Sequence, residues 1–158
     1  MHSMIYRSPI GPLWLITDGI HLTGLWMKDP GNTIPDPTIT VLQDTCRWLD
    51  AYFRGEQPQP ESLPLSPAGT DFQRHVWDIL LRIPYGKTRT YGDIAKELAF
   101  QLGKEKMSAQ AVGGAVGRNP ISIIIPCHRW MGAGNVLTGY AWGIEKKAWL
   151  LRHEEDHI

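Results

Sequence analysis

The rhythm of hydrophobic and polar positions changes twice along this chain. Over residues 4–27 (MIYRSPIGPLWLITDGIHLTGLWM), short apolar runs are broken by turn signals at residues 9–11 and at Asp18-Gly19, a pattern that predicts strands joined by tight turns. An Asp-Gly pair between apolar runs is a strong hairpin signal, since it suits a two-residue turn with positive φ. Residues 28–37 are rich in Pro, Gly, Asp and Asn and predict loop. Over residues 38–53 the spacing becomes helical: Val41, Leu42, Thr45, Trp48, Leu49 and Tyr52 fall on one face of an amphipathic helix.

A Pro-rich passage over residues 57–67 then reads as a linker, dividing the chain into lobes 1–66 and 67–158. The second lobe opens with Thr70 or Asp71 as helix N-cap, followed by Phe72, Val76, Trp77, Leu80 and Leu81 on one face. Pro84-Tyr85-Gly86 stops that helix. A short helix is predicted over residues 90–98, a looser stretch over 100–106, and a second helix over 108–117. Such a pair invites a helix-turn-helix reading, although helix pairs occur in any α-rich domain. The second helix, SAQAVGGAVG, is built almost wholly of small residues. Each interior glycine costs roughly 1 kcal/mol relative to alanine, so another surface, a packed helix or a nucleic-acid groove, is expected to approach closely. Asn119-Pro120 ends this helix, and the β-branched run 121–125 predicts a buried strand. The chain then turns through MGAGN to a Tyr140-Ala141-Trp142-Gly143 loop and a last helix over 144–155, with Ile144, Ala148 and Leu151 on its apolar face. The predicted class is α+β: a small N-terminal sheet with one helix, then a mostly helical C-terminal domain.

Composition narrows the picture modestly. At 158 residues, 42% hydrophobic and 20% charged, the chain can bury a real core. Sixteen basic and sixteen acidic residues cancel, so net charge points to no partner. Between Gly86 and Trp130, however, seven basic residues (Lys87, Arg89, Lys96, Lys104, Lys106, Arg118, Arg129) face three acidic ones (Asp93, Glu97, Glu105), a local excess of four. That suits phosphate contact but also suits an ordinary solvated face. The two cysteines, Cys46 and Cys127, are too few for a disulfide framework, and a reducing cytoplasm is expected. Neither a signal peptide nor an apolar stretch near ~18 residues is apparent, so no membrane partner is expected.

The sharpest chemical feature is IIIPCHRW, residues 123–130: a cysteine just past an apolar run, followed at once by His and Arg. A free thiol, with pKa near ~8.5, is mostly unreactive at neutral pH unless neighbours stabilise the thiolate or take its proton. His128 can do this if a carboxylate holds its imidazole in the accepting tautomer. Adjacency alone also describes a buried structural cysteine beside a solvent-facing His-Arg pair. Cys46, within the predicted first helix, has no activating neighbour in sequence and reads as structural.

The surroundings of Cys127 are more specific. TDFQRHVWDIL, IPYGKTRTYGDIA, AVGGAV, NPISIIIPCHRW and LTGYAWGIEKKAWLLRHE, in that order, resemble the O6-alkylguanine-DNA alkyltransferase family over the whole second lobe, and the first lobe resembles that family's from SPIGPLWL to LDAYFRGE. The resemblance implies a ribonuclease H-like first lobe and a DNA-binding second domain with a helix-turn-helix. It implies that Cys127 accepts the alkyl group from guanine O6, that His128 takes the thiol proton through a water, and that Glu154 orients His128. It further implies that Asn119 braces the reactive loop, that Tyr91 donates its hydroxyl near the guanine or the adjoining phosphate, and that Arg129 is structural, tying the lobes. Gln110, Ala111, Gly113, Gly114 and Arg118 would face double-stranded DNA through the minor groove, and Tyr140, Ala141 and Trp142 would border the pocket for a flipped guanine. The thioether formed has no leaving group, so each molecule acts once. No cofactor and no metal are expected, and a monomer is expected.

Three positions depart from the family pattern. Gln110 stands where an arginine usually enters the duplex and fills the space of the flipped base, and it lacks the guanidinium's charge and stacking plane. Trp142 replaces a usual glycine in the loop over the alkyl pocket, and Trp130 replaces a smaller aliphatic residue. These departures keep a second expectation open: a protein that recognises lesions in DNA without repairing them. A transcription regulator is disfavoured, because Gln110 alone on the helix pair suits base reading.

Overall fold

The computed structural model describes residues 1–132 and 139–158 and forms two compact units. The first comprises residues 1–68 together with 120–122 and His157. Its sheet holds β1 (His2–Ser8), β2 (Gly11–Thr17), β3 (Leu22–Trp26) and β4 (Ile34–Pro35) in the order β3-β2-β1-β4. β1 and β2 form an antiparallel hairpin whose register closes at Ser8 and Gly11, and β2 pairs antiparallel with β3. The turn at Asp18 is held by its carboxylate, which accepts from the backbone N–H of Ile20 (2.9 Å) and His21 (2.7 Å); this is the local bonding that favours Asp in turns. β4 lies in the predicted loop and adds two residues in parallel pairing to β1.

Helix α1 (Thr40–Phe53) buries Val41, Leu42, Thr45, Trp48, Leu49 and Tyr52, the same six positions that the periodicity predicts. Burying a leucine stabilises by roughly 1.5–3 kcal/mol, so Leu42 and Leu49, both fully enclosed, fix this face. Thr45 is tolerated there because its hydroxyl donates to Val41 O at 2.7 Å. The Pro-rich passage is not a free tether: Leu63 is buried, Leu22 N donates to Pro64 O (2.8 Å), and Ser66 N donates to Leu22 O (2.9 Å).

The second unit comprises residues 69–119, 123–156 and Ile158. It contains α2 (Asp71–Leu81), β5 (Arg89–Thr90), α3 (Tyr91–Gln101), α4 (Ala109–Gly117), β6 (Trp130–Met131) and α5 (Ile144–Asp156). Thr70 and Thr90 each cap a helix reciprocally, with Gln73 and Asp93 returning the bond, and Ser108 caps α4 by accepting from Ala111 N. Helices α2 and α3 both pack against α4, and Trp77 of α2 donates its indole N–H to Ala115 O of α4 at 2.9 Å. β5 and β6 pair in parallel, Arg89 with Trp130 and Thr90 with Met131.

Two expectations are corrected here. Residues 121–125 form no strand: Ile121 makes an isolated bridge with Leu25, and Ser122 to Ile124 turn, with Ile123 at φ 71°. Burial, not pairing, explains the apolar run, since Ile123, Ile124 and Ile125 are all enclosed. In α5 the buried positions are Lys147, Leu150, His153 and Glu154, whereas Ile144 and Ala148 are exposed and Leu151 is half-buried. No helix among the described residues is long and apolar enough to cross a membrane.

Candidate active site

Cys127, His128 and Arg129 form a single 3-10 turn, and all three are buried. The turn is closed by Cys127 N donating to Ile125 O (2.8 Å) and Arg129 N to Pro126 O (3.0 Å). Just upstream, Ile123 takes a left-handed conformation that costs a β-branched residue energy, the kind of strain that folded structures keep beside working groups. Asn119 donates through Nδ2 to Ile125 O at 2.8 Å, and its side chain also hydrogen-bonds Cys127.

Glu154 of α5 gathers the turn. Its carboxylate accepts from His128 Nε2 (2.5 Å), Arg129 Nε (2.7 Å), Arg129 Nη2 (3.1 Å) and the backbone N–H of Gly86 (3.2 Å). Burial pushes this carboxyl up, but the His128 and Arg129 partners outweigh it and hold Glu154 well below the usual carboxylate range. An ionised Glu154 requires that Nε2 of His128 carry the proton. Nδ1 is then the lone-pair side of the ring, and it is buried with no hydrogen-bond partner among the described residues. Burial also lowers the His128 pKa, against the opposing pull of Glu154, so the imidazole is neutral at neutral pH. An imidazole in this state can accept a proton at Nδ1.

The sulfur itself is not a resting thiolate. Cys127 keeps 7% of its surface exposed, and burial pushes its pKa up to about 11, outweighing the lowering effect of Asn119, Lys147 and its own backbone N–H. A thiol with such a pKa is ionised in roughly one molecule in 10^4 at pH 7, so the sulfur rests protonated. Arg129 also departs from expectation: besides Glu154 it donates through Nη1 to Ile83 O (2.7 Å) and lies 5.6 Å over the Tyr85 ring, all within the second unit.

Lys147 is the residue that sequence reasoning missed. Fully enclosed, it donates through Nζ to Trp130 O (2.5 Å) and Gly139 O (3.4 Å), and burial lowers its pKa to about 8 despite the nearby Cys127 sulfur. Its signal was faint but present: Lys147, Leu150 and Glu154 share one helical face. Tyr91, the first residue of α3, is half-buried with its ring against Trp130. On α4 the structure separates the predicted contact residues. Gln110, Ala111, Gly114 and Arg118 are exposed, and a side chain at Gly114 would meet nothing within 4 Å. Gly113 faces inward instead, where a Cβ would stand 3.3 Å from the Trp130 indole; its smallness serves packing. Tyr140 and Trp142 are half-buried and Ala141 is exposed, in the turn before α5. Cys46 is half-buried on α1 with its sulfur 3.6 Å from Met4 Sδ. Among the described residues no three His, Cys, Asp or Glu side chains are grouped to hold a metal.

This geometry agrees with comparison to known proteins. Residues 71–156 match the family model described as 6-O-methylguanine DNA methyltransferase, DNA binding domain, and residues 1–67 match the ribonuclease-like domain of the same family. The chain belongs to the 6-O-methylguanine DNA methyltransferase family. It is 43% identical over 159 residues to a methylated-DNA–protein-cysteine methyltransferase of Methanosarcina acetivorans, covering 98% of each chain. A crystal structure of Mycobacterium tuberculosis OGT in complex with DNA is 43% identical, with a TM-score of 0.88 over 99% of this chain and 94% of that one. The O6-methylguanine-DNA methyltransferase of Pyrococcus kodakaraensis, at 24% identity and a TM-score of 0.67, shares the fold.

Proposed function

We propose that this chain repairs O6-alkylguanine in DNA by moving the alkyl group to Cys127 Sγ, once per molecule. The observation that carries the reading is the Glu154–His128 pair at 2.5 Å: it leaves Nδ1 of His128, the residue next to the buried thiol, without a hydrogen-bond partner among the described residues. The thiol proton passes through a water to His128 Nδ1 as sulfur attacks the carbon on O6. The S–C bond forms, the C–O6 bond breaks, and guanine departs with that electron pair. Tyr91 donates its hydroxyl proton to the leaving base and is reprotonated from His128, so the thiol proton ends on guanine. The thioether is a poor leaving group, and nothing in this site restores the thiol.

The partner in this reading is double-stranded DNA, met in the minor groove by the exposed α4 positions Gln110, Ala111, Gly114 and Arg118. Small side chains there permit close approach, and the degenerate readout of that groove suits a protein that must act at any sequence. The lesion is flipped toward Tyr140, Ala141 and Trp142. Gln110 supports the opened duplex less well than an arginine would, and the Trp142 indole reshapes the alkyl pocket, so the range of accepted lesions shifts. The chain acts as a monomer in the cytoplasm, without metal or cofactor.

Incubation with a duplex containing O6-methylguanine tests this directly. Mass spectrometry should show one added methyl group on the peptide holding Cys127, and none in Cys127→Ala. Gln110 and Trp142 motivate the rival reading, lesion recognition without transfer. Wild-type protein that binds the duplex at saturation yet stays unmodified would establish that rival instead.

A further inference from the structure

Trp130 directly follows the reactive turn and touches three other elements of the second unit. Its ring meets Tyr91 of α3 edge-on, with centroids 3.9 Å apart at 77°. Its far edge lies against α4, close enough that a Cβ at Gly113 would sit 3.3 Å from Cη2. Lys147 of α5 holds its ammonium 5.7 Å over the indole and donates to the Trp130 carbonyl at 2.5 Å. Main-chain bonds fix the residue from behind. Trp130 N donates to Cys127 O, and the β5–β6 ladder sets Arg89 and Thr90, the residues preceding Tyr91, beside Trp130 and Met131. An unbroken path therefore runs from the sulfur-bearing residue, through one peptide hydrogen bond and one rigid ring, to the Tyr91 phenol. The indole Nε1 is buried and has no acceptor among the described residues; what the ring brings to those neighbours is size and stiffness.

We infer that Trp130 is a positioning residue for alkyl transfer, a wedge that sets where the Tyr91 hydroxyl stands relative to the Cys127 sulfur. The inference rests on the role proposed for Tyr91. A smaller aliphatic residue would leave a gap between Tyr91 and Gly113, and the phenol would settle into it. Orientation of the departing base would suffer while the thiol and its base stayed as they are.

A double-mutant cycle with Tyr91→Phe separates this from simple packing. Single-turnover methyl transfer from an O6-methylguanine duplex is measured for wild type, W130V, W130F, Y91F and Y91F/W130V, each verified as folded by its denaturant transition. W130V should slow transfer by about tenfold, yet change transfer by less than about twofold in the Y91F background, the signature of a coupled pair. W130F, which keeps the ring, should recover most of the rate. The pH profile of Cys127 alkylation by iodoacetamide should be the same in W130V as in wild type. Should W130V fail to fold, W130L takes its place. Equal slowing by W130V in both backgrounds, a W130F loss as large as that of W130V, or a shifted iodoacetamide profile would overturn the coupling alone. A Y91F protein with wild-type transfer would instead remove the role of Tyr91, and this proposal with it.

Discussion

Helices α1 and α5 are nearly equal in length, 14 and 13 residues, and bury opposite kinds of surface. α1 puts Val41, Leu42, Trp48, Leu49 and Tyr52 inside, together with a threonine that satisfies its own hydroxyl. α5 puts Lys147, His153 and Glu154 inside with a single leucine, and leaves Ile144 exposed. The first helix is arranged as the hydrophobic effect alone would arrange it. The second pays a desolvation cost for charge, and recovers it only because every buried polar atom of Glu154 meets donors of matched geometry. Where a helix buries charge against its own amphipathic pattern, the reason lies in chemistry and not in stability.

The largest effect expected from this contrast follows Glu154→Gln. The neutral amide no longer fixes the imidazole tautomer, and transfer should fall by roughly 10^3-fold or more. Breaking the pair with Arg129 should also destabilise the fold by about 3–5 kcal/mol, readable by urea unfolding. Acid reports the same group. Glu154 is held below its unfolded pKa of ~4.3, so the stability it contributes is present above that pH and is lost as pH falls through the lowered folded value. His128, also lowered, acts with the same sign: the unfolded chain takes up its proton first, so stability declines below pH ~6.5. Glu154→Gln should therefore flatten the acid end of a melting-temperature profile, and a variant that kept the full wild-type slope would break the contrast.

On the other helix, Leu49→Ala should cost about 2–5 kcal/mol of stability and leave the methyl-transfer rate of the folded protein unchanged. A matching rate loss would mean that α1 is not merely structural. Lys147→Met should do the reverse. An apolar chain of similar volume removes the cost of burying an ammonium, which offsets the lost hydrogen bonds in stability. The Trp130 carbonyl loses its donor, however, and Cys127 loses a nearby positive charge, so transfer should slow by about tenfold, roughly 1.4 kcal/mol in the barrier. The smallest change is Gly114→Ala, where an added methyl meets open space. It should stabilise α4 by up to ~1 kcal/mol while weakening affinity for duplex DNA, as thermal melting and fluorescence anisotropy would show.

What could be read from sequence follows the same division. The α1 face, the cap at Thr70 and the hairpin turn at Asp18 were legible because each rests on local physics: periodicity, an oxygen accepting three residues ahead, or a carboxylate bonding its own turn. The α5 face was misread because apolar spacing selected Ile144, Ala148 and Leu151 and had no means to weigh a buried lysine. The β-branched run 121–125 favours a strand by local propensity, whereas its enclosure without pairing is set by distant contacts. The Cys127-His128 adjacency stands in the sequence itself, whereas Glu154 enters only through family resemblance, because 26 residues separate His128 from that carboxylate. Lys147 had no motif of its own. Its role emerged only when the fold brought it to the Trp130 carbonyl, and Gly113 changed from a groove contact to an inward-facing position for the same reason.

The bond from Gly86 N to Glu154 has a consequence for inheritance. Its donor belongs to the main chain, so ordinary replacements at position 86 would leave the N–H in place and only proline would delete it. Yet φ there is +77°, a conformation that favours glycine, whereas the Ile158 side chain that an added Cβ would meet at 2.7 Å is exposed and free to move aside. A residue with no side chain is thus held by its backbone conformation: a replacement at this quiet position would strain the turn by about 1 kcal/mol and loosen one of the four bonds that hold the carboxylate.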